Sequence, residues 1–149
     1  MRSKAFSKRG KSWALEKSRN TKGAQGGYMM KVLLVDDAAF IRMSLKKILD
    51  ESKYDFECLE AANGEEAIRM YKAMSPNLVI MDITMPEMDG ITAVQKIKEY
   101  DAEAKIIMCS SMGYQAKVVD AVTAGALDFI VKPYEAQKVI ASIQKVLNL

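Results

Sequence analysis

Val32-Leu33-Leu34-Val35-Asp36-Asp37 places four apolar residues in a row and then two adjacent acids. An unbroken apolar run of this length reads as a strand covered on both faces, the habit of parallel sheets. Working outward, the same signature recurs at Leu78 to Met81, Ile106 to Cys109 and Phe129 to Val131. Tyr54 to Glu60 differs: Tyr54, Phe56 and Cys58 alternate with Asp55, Glu57 and Glu60 until Leu59 breaks the pattern, which predicts an edge strand.

Between these runs the apolar residues fall three and four apart, the spacing of amphipathic helices. The stripes are Ile41, Leu45, Ile48, Leu49; Ala67, Met70, Tyr71, Met74; Ile91, Val94, Ile97; Val118, Ala121, Val122; and Val139, Ile140, Ile143, Val146, Leu147. Asn63 precedes Glu66 in a capping-box arrangement, Asp89 is placed to cap the third helix, and Gly125 to stop the fourth. The methionines on these stripes and on the strand runs, such as Met70, Met74, Met81 and Met108, are read as core. Strict alternation of five strands and five helices predicts an α/β doubly wound parallel sheet, a three-layer sandwich with right-handed crossovers.

At 149 residues, half of them hydrophobic, the chain suits one domain over 30–149 preceded by a tail over 1–29. The tail holds eight Lys or Arg against Glu16 alone, a net of +7, which leaves 14 basic and 18 acidic side chains, a net of −4, for the rest. Its Lys, Arg, Ser, Gly and Asn content predicts disorder, and a vector-derived leader would look the same. Deleting residues 1–28 is therefore expected to leave the domain's chemistry intact. There is no histidine, and Cys58 and Cys109 stand far apart, which excludes thiol-rich metal sites and Ser-His or Cys-His catalysis. Two isolated cysteines suit a reducing cytoplasm, and no apolar run approaches the roughly 18 residues of a membrane span.

The informative polar residues close the strands: Asp36-Asp37 after the first, Asp82 after the third, Ser110-Ser111 after the fourth and Lys132-Pro133 after the fifth. Ligands of open parallel sheets bind at this carboxyl edge, where the strand order reverses. With order 2-1-3-4-5, strands one and three are neighbours and three carboxylates converge. Such a group repels itself unless a cation holds it or one member keeps a proton. Oxygen donors without His or Cys favour a hard ion, and few carboxylates with waters favour Mg2+.

At these residues the chain resembles the response-regulator receiver domains, of the CheY type. Val32 to Asp37 matches the family's first strand and acidic pair, and Met81-Asp82-Ile83-Thr84-Met85-Pro86-Glu87-Met88-Asp89-Gly90 matches its phosphoacceptor loop. Cys109-Ser110-Ser111 fits the hydroxyl position and Asp128-Phe129-Ile130-Val131-Lys132-Pro133 the final Lys-Pro. The resemblance covers residues 30–149 and implies a flavodoxin-like fold. It implies that Asp82 is phosphorylated, with Asp37, Asp82 and the Thr84 backbone carbonyl as direct Mg2+ ligands and Asp36 acting through metal-bound water. Ser110 and Lys132 would meet the phosphoryl oxygens, and Ser110 with Phe129 would form the switch.

Two positions depart from some relatives: Thr84 and Met112 stand where acids or amides help to orient a hydrolytic water. Slow self-dephosphorylation, assisted by a CheC- or CheX-type phosphatase, is the expectation. A haloacid-dehalogenase-type phosphatase would need an acid at Thr84 as general acid, so an enzyme acting on outside substrates is not expected. A flavin module would need a phosphate loop where Asp36-Asp37 stand. Residues 30–149 leave no room for a DNA-binding output, so signalling is expected through protein partners, without nucleic acid or membrane. The resemblance implies a monomer phosphorylated by a CheA-like histidine kinase and read by a motor-switch protein in chemotaxis, with a sporulation-type phosphorelay shuttle as the alternative.

Overall fold

The computed structural model describes residues 29–111 and 115–149, with residues 115–117 as backbone alone. The expectations for the tail over 1–28 and for Met112 lie outside the described residues. Five strands and five helices alternate: β1 (Met30–Val35), α1 (Ala39–Asp50), β2 (Phe56–Ala61), α2 (Gly64–Met74), β3 (Leu78–Asp82), α3 (Gly90–Tyr100), β4 (Ile106–Ser111), α4 (Gln115–Ala124), β5 (Asp128–Lys132) and α5 (Ala136–Leu147). All strand pairs are parallel, in the order β2-β1-β3-β4-β5.

The apolar runs work as expected because alternate residues serve opposite layers. Leu33, Val35, Val79 and Met81 pack toward Ala67, Val94, Ile97 and Ala121 of α2, α3 and α4. Val32, Leu34, Leu78 and Ile80 pack toward Leu45, Leu49, Val139 and Ile143 of α1 and α5. Burial on both faces fixes strand register, since a slip of one residue would exchange the layers. Among the described residues, no helix is long and apolar enough to cross a membrane.

Three local readings change. In β2, Leu59 is no interruption: Phe56 and Cys58 pack with the α1/α5 layer while Leu59 and Ala61 pack with the other, so this edge strand is apolar toward both. The run in β5 is covered less than expected, because β5 is the second edge and Val131 is 43% exposed. On α4, Val122 leaves the buried stripe at 60% exposure, beside Val119 at 66%. The buried side centres on Ala121, and a turn of about 100° per residue carries Val122 off it. Met81, Met85 and Met108 are core, whereas Met43 on α1 points outward.

The punctuation holds. Asn63 Oδ1 accepts from the Glu66 amide at 2.8 Å, although Glu66 reaches back to the Ala62 amide instead of that of Asn63. Asp89 Oδ1 accepts from the Thr92 amide at 2.8 Å. Gly125 follows α4 with φ +114°, the left-handed region in which a side chain is strained.

Candidate functional site

The strand register carries the acids together. Val35 is opposite Met81, so the chain leaves β1 at Asp36 beside Asp82, the last residue of β3. Carboxylate oxygens of Asp36, Asp37 and Asp82 all lie within 4.8 Å of one another. Asp36 and Asp82 are buried at 2% and 5% exposure while Asp37 is open to solvent, so the cluster is reached from one side.

Lys132, the last residue of β5, extends beneath this group. Its Nζ lies 2.7 Å from Asp36 Oδ2 and 3.1 Å from Asp82 Oδ1, crossing the position of β4 to do so. Asp36 Oδ1 also accepts from the Ala38 amide at 2.9 Å. Burial, then the Asp36 charge, pushes the Asp82 carboxyl up to about 6, against the pull of Lys132. Burial works to lower the Lys132 ammonium, but its hydrogen bond to Asp36 and the charge of Asp82 outweigh it and hold the ammonium above its ordinary value. One ammonium among three acids leaves about two negative charges, which suits a divalent cation with oxygen donors.

The loop after Asp82 is drawn tight by a glycine. A Cβ on Gly90 would stand 2.1 Å from the Asp82 carbonyl oxygen, so only glycine lets α3 begin there. The Gly90 amide donates to Ile83 O at 2.7 Å, and the Ile83 amide to Cys109 O at 2.9 Å. Thr84 is thereby exposed on a short loop beside the acids.

Ser110 in β4 is 1% exposed, and its hydroxyl has no hydrogen-bond partner among the described residues. A buried hydroxyl left without a partner costs roughly 1–3 kcal/mol, so it marks a place for an acceptor. Phe129 is half-buried against the α2/α3/α4 layer. The Cys109 thiol, pushed up to about 12 by burial, is hydrogen-bonded to Tyr134 and inert.

The structure thus brings together Asp36, Asp37, Asp82 and Lys132, and sets Ser110 one residue past Cys109, the partner of Asp82 in the sheet. Arg42 of α1 escaped the sequence reading. It donates through Nη1 to the Asp36 carbonyl at 2.5 Å and through Nε to Glu60 at 2.7 Å. No local pattern announces it, because β2 supplies its carboxylate from 18 residues away.

A parallel 2-1-3-4-5 sheet with acids at the β1/β3 edge and a lysine reaching over from β5 defines a class, and the response regulator receiver domain model matches residues 32–144. The chain belongs to that family, as a CheY-like member. It is 57% identical over 118 residues to the chemotaxis protein CheY of Bacillus subtilis, covering 79% of this chain and 98% of that one. It is 53% identical over 116 residues to CheY of Thermotoga maritima, covering 78% and 96%. Among solved structures it is similar to a chain of the CheX-CheY-BeF3-Mg2+ complex from Borrelia burgdorferi, with TM-score 0.75 and 38% identity, covering 83% of this chain and 92% of that one.

Proposed function

We propose that this protein carries a chemotaxis signal as a phosphoryl group on Asp82, taken from a CheA-like histidine kinase and passed on as a change in protein binding. One observation supports it above all: a buried acid pair bridged by Lys132 at 2.7 and 3.1 Å, with a buried hydroxyl on the next strand that lacks a partner among the described residues. Ground-state pairing alone would leave no use for that hydroxyl.

Asp37, Asp82 and the Thr84 carbonyl would hold Mg2+, with Asp36 on a water bound to it. Bound there, the ion would supply charge neutralisation for the acids and for an incoming phosphoryl group. Even without a cation the Asp82 carboxyl, raised to about 6, is ionised at neutral pH and so present as the nucleophile. One Asp82 oxygen bonds to phosphorus while the donor's bond breaks and the leaving group keeps the electron pair. Lys132 then follows the charge outward from the carboxylate to the phosphoryl oxygens. The Ser110 hydroxyl gains its acceptor by turning inward, which makes room for the Phe129 ring and shifts the face formed by α4, β5 and α5.

The remaining roles are part of the same proposal. The protein works as a cytoplasmic monomer, read by a motor-switch protein and not by nucleic acid or membrane, and transforms no outside substrate. The Borrelia burgdorferi complex with CheX supports a CheX-type phosphatase, and Thr84 supports slow self-dephosphorylation. No feature of the relatives raises the relay-shuttle alternative above chemotaxis. The test is intact-mass spectrometry after incubation with acetyl phosphate and Mg2+. The native chain gains one phosphoryl group and Asp82→Asn gains none; unchanged labelling of Asp82→Asn would exclude Asp82 as the acceptor.

A further inference from the structure

The first two acids sit on a joint whose local tie is the Ala38 amide donating to Asp36 Oδ1 at 2.9 Å, with no side-chain cap on the helix that follows. Helices α2 and α3 begin on side-chain caps, Asn63 and Asp89, whereas α1 begins on Ala38 with no side-chain cap bond and no acid in its first turn. The β1–α1 joint is also tied from β2. The Asp36 amide donates to Ala61 O at 3.2 Å, and the Asp36 carbonyl accepts from Arg42 Nη1 at 2.5 Å, while Arg42 Nε is held by Glu60 Oε1 at 2.7 Å. Glu60 and Ala61 are consecutive, so one end of β2 holds the peptides on either side of Asp36, the second of them through Arg42.

We propose that Arg42 is a positioning residue for the proposed cation site: the Glu60–Arg42 clamp fixes the Asp36–Asp37 peptide plane and so aims both carboxylates at Asp82. The proposal rests on the cation-site reading above. Glu60 is 44% exposed, and an ion pair open to water adds little stability by itself. Its effect is geometric. The carboxylate orients a planar guanidinium whose second donor arm meets the carbonyl, and a point-charge ammonium cannot occupy both positions at once. Asp36 and Asp37 share that peptide, so a tilt there moves both carboxylates relative to Asp82.

The test is Mg2+ affinity by calorimetry and amide NMR on the full chain, alongside the Mg2+ dependence of acetyl phosphate labelling. Arg42→Gln is expected to weaken Mg2+ binding by about tenfold, the usual scale for groups that orient metal ligands, while labelling at saturating Mg2+ stays within about twofold. Arg42→Lys restores only part of the loss, and Glu60→Gln weakens binding by about two- to threefold. Arg42→Gln with native Mg2+ affinity, or full rescue by Arg42→Lys, overturns the proposal. If Arg42→Gln does not fold, Glu60→Gln decides, and unchanged affinity there is contrary. A native chain that binds no Mg2+ overturns the cation-site reading itself, a result distinct from a native chain that binds and variants that match it.

Discussion

At the carboxyl edge of the sheet stand Asp82, Ser110 and Lys132; at the amino edge, where β5 begins, stand Asp128, Ser142 and Lys145. Both groups contain an acid, a hydroxyl and an ammonium, yet their condition is opposite. Asp128 accepts from Ser142 Oγ at 2.6 Å and pairs with Lys145 at 3.4 Å. Burial acts to raise its carboxyl, but the Ser142 hydroxyl, the Phe129 amide and Lys145 prevail and hold it below its usual value. Asp82 is pushed up to about 6, and the Ser110 hydroxyl is buried with no partner among the described residues. One trio is satisfied and structural. The other carries repulsion and a missing acceptor, which a cation and a phosphoryl group would supply.

The widest separation between the two comes from the lysines. Lys132→Ala should slow acetyl phosphate labelling by about 10²–10³, the scale for removing one preorganised charge from a transition state. Lys145→Ala should leave labelling unchanged, because Lys145 is exposed and remote from Asp82 in the sheet. Equal effects would erase the distinction.

Acid and neutral pH separate the carboxyls next. The folded state holds the Asp82 proton up to about 6 against an ordinary 3.8, so it binds more protons than the unfolded chain in that window. Its contribution makes metal-free stability fall as pH rises from about 4 to about 6. Asp128 acts in the other direction: its lowered value stabilises at neutral pH, and that contribution is lost as pH falls below the unfolded value. Urea unfolding of Asp82→Asn should flatten the first slope, and Asp128→Asn the acid limb. The reverse pairing would contradict both assignments.

The hydroxyls give the smallest contrast. Ser142→Ala should cost about 1 kcal/mol by leaving a part-buried carboxylate oxygen short of a donor, without altering phosphorylation. Ser110→Ala should cost about 0.5 kcal/mol or less, since no hydrogen bond is lost, and should still weaken beryllofluoride binding in NMR titrations.

The sequence made the site more legible than its supports. Parallel strands buried on both faces write themselves as apolar runs, and the polar residues that end those runs form the proposed site, so Asp36, Asp37, Asp82, Ser110 and Lys132 could be read in order. What could not be read depends on how elements meet. Leu59 looked like a broken alternation because α2 gives the β2 edge a second apolar face. Val122 looked buried because three apolar residues at helical spacing do not say where the centre of the stripe lies. The Arg42–Glu60 clamp, the fit of Gly90 against Asp82 and the Asp128–Ser142 bond join residues whose types are ordinary for their positions.

The central claim is that Asp82 is held at an energetic disadvantage until a divalent cation arrives. Its most direct measure is the unfolding free energy of the native chain and of Asp82→Asn at pH 7, each with and without Mg2+. Without Mg2+ the variant should be more stable by about 1–3 kcal/mol, because a buried charge in repulsion has been removed, and saturating Mg2+ should stabilise only the native chain. An Asp82→Asn chain that is less stable without Mg2+, or that Mg2+ stabilises as much as the native one, would contradict the account.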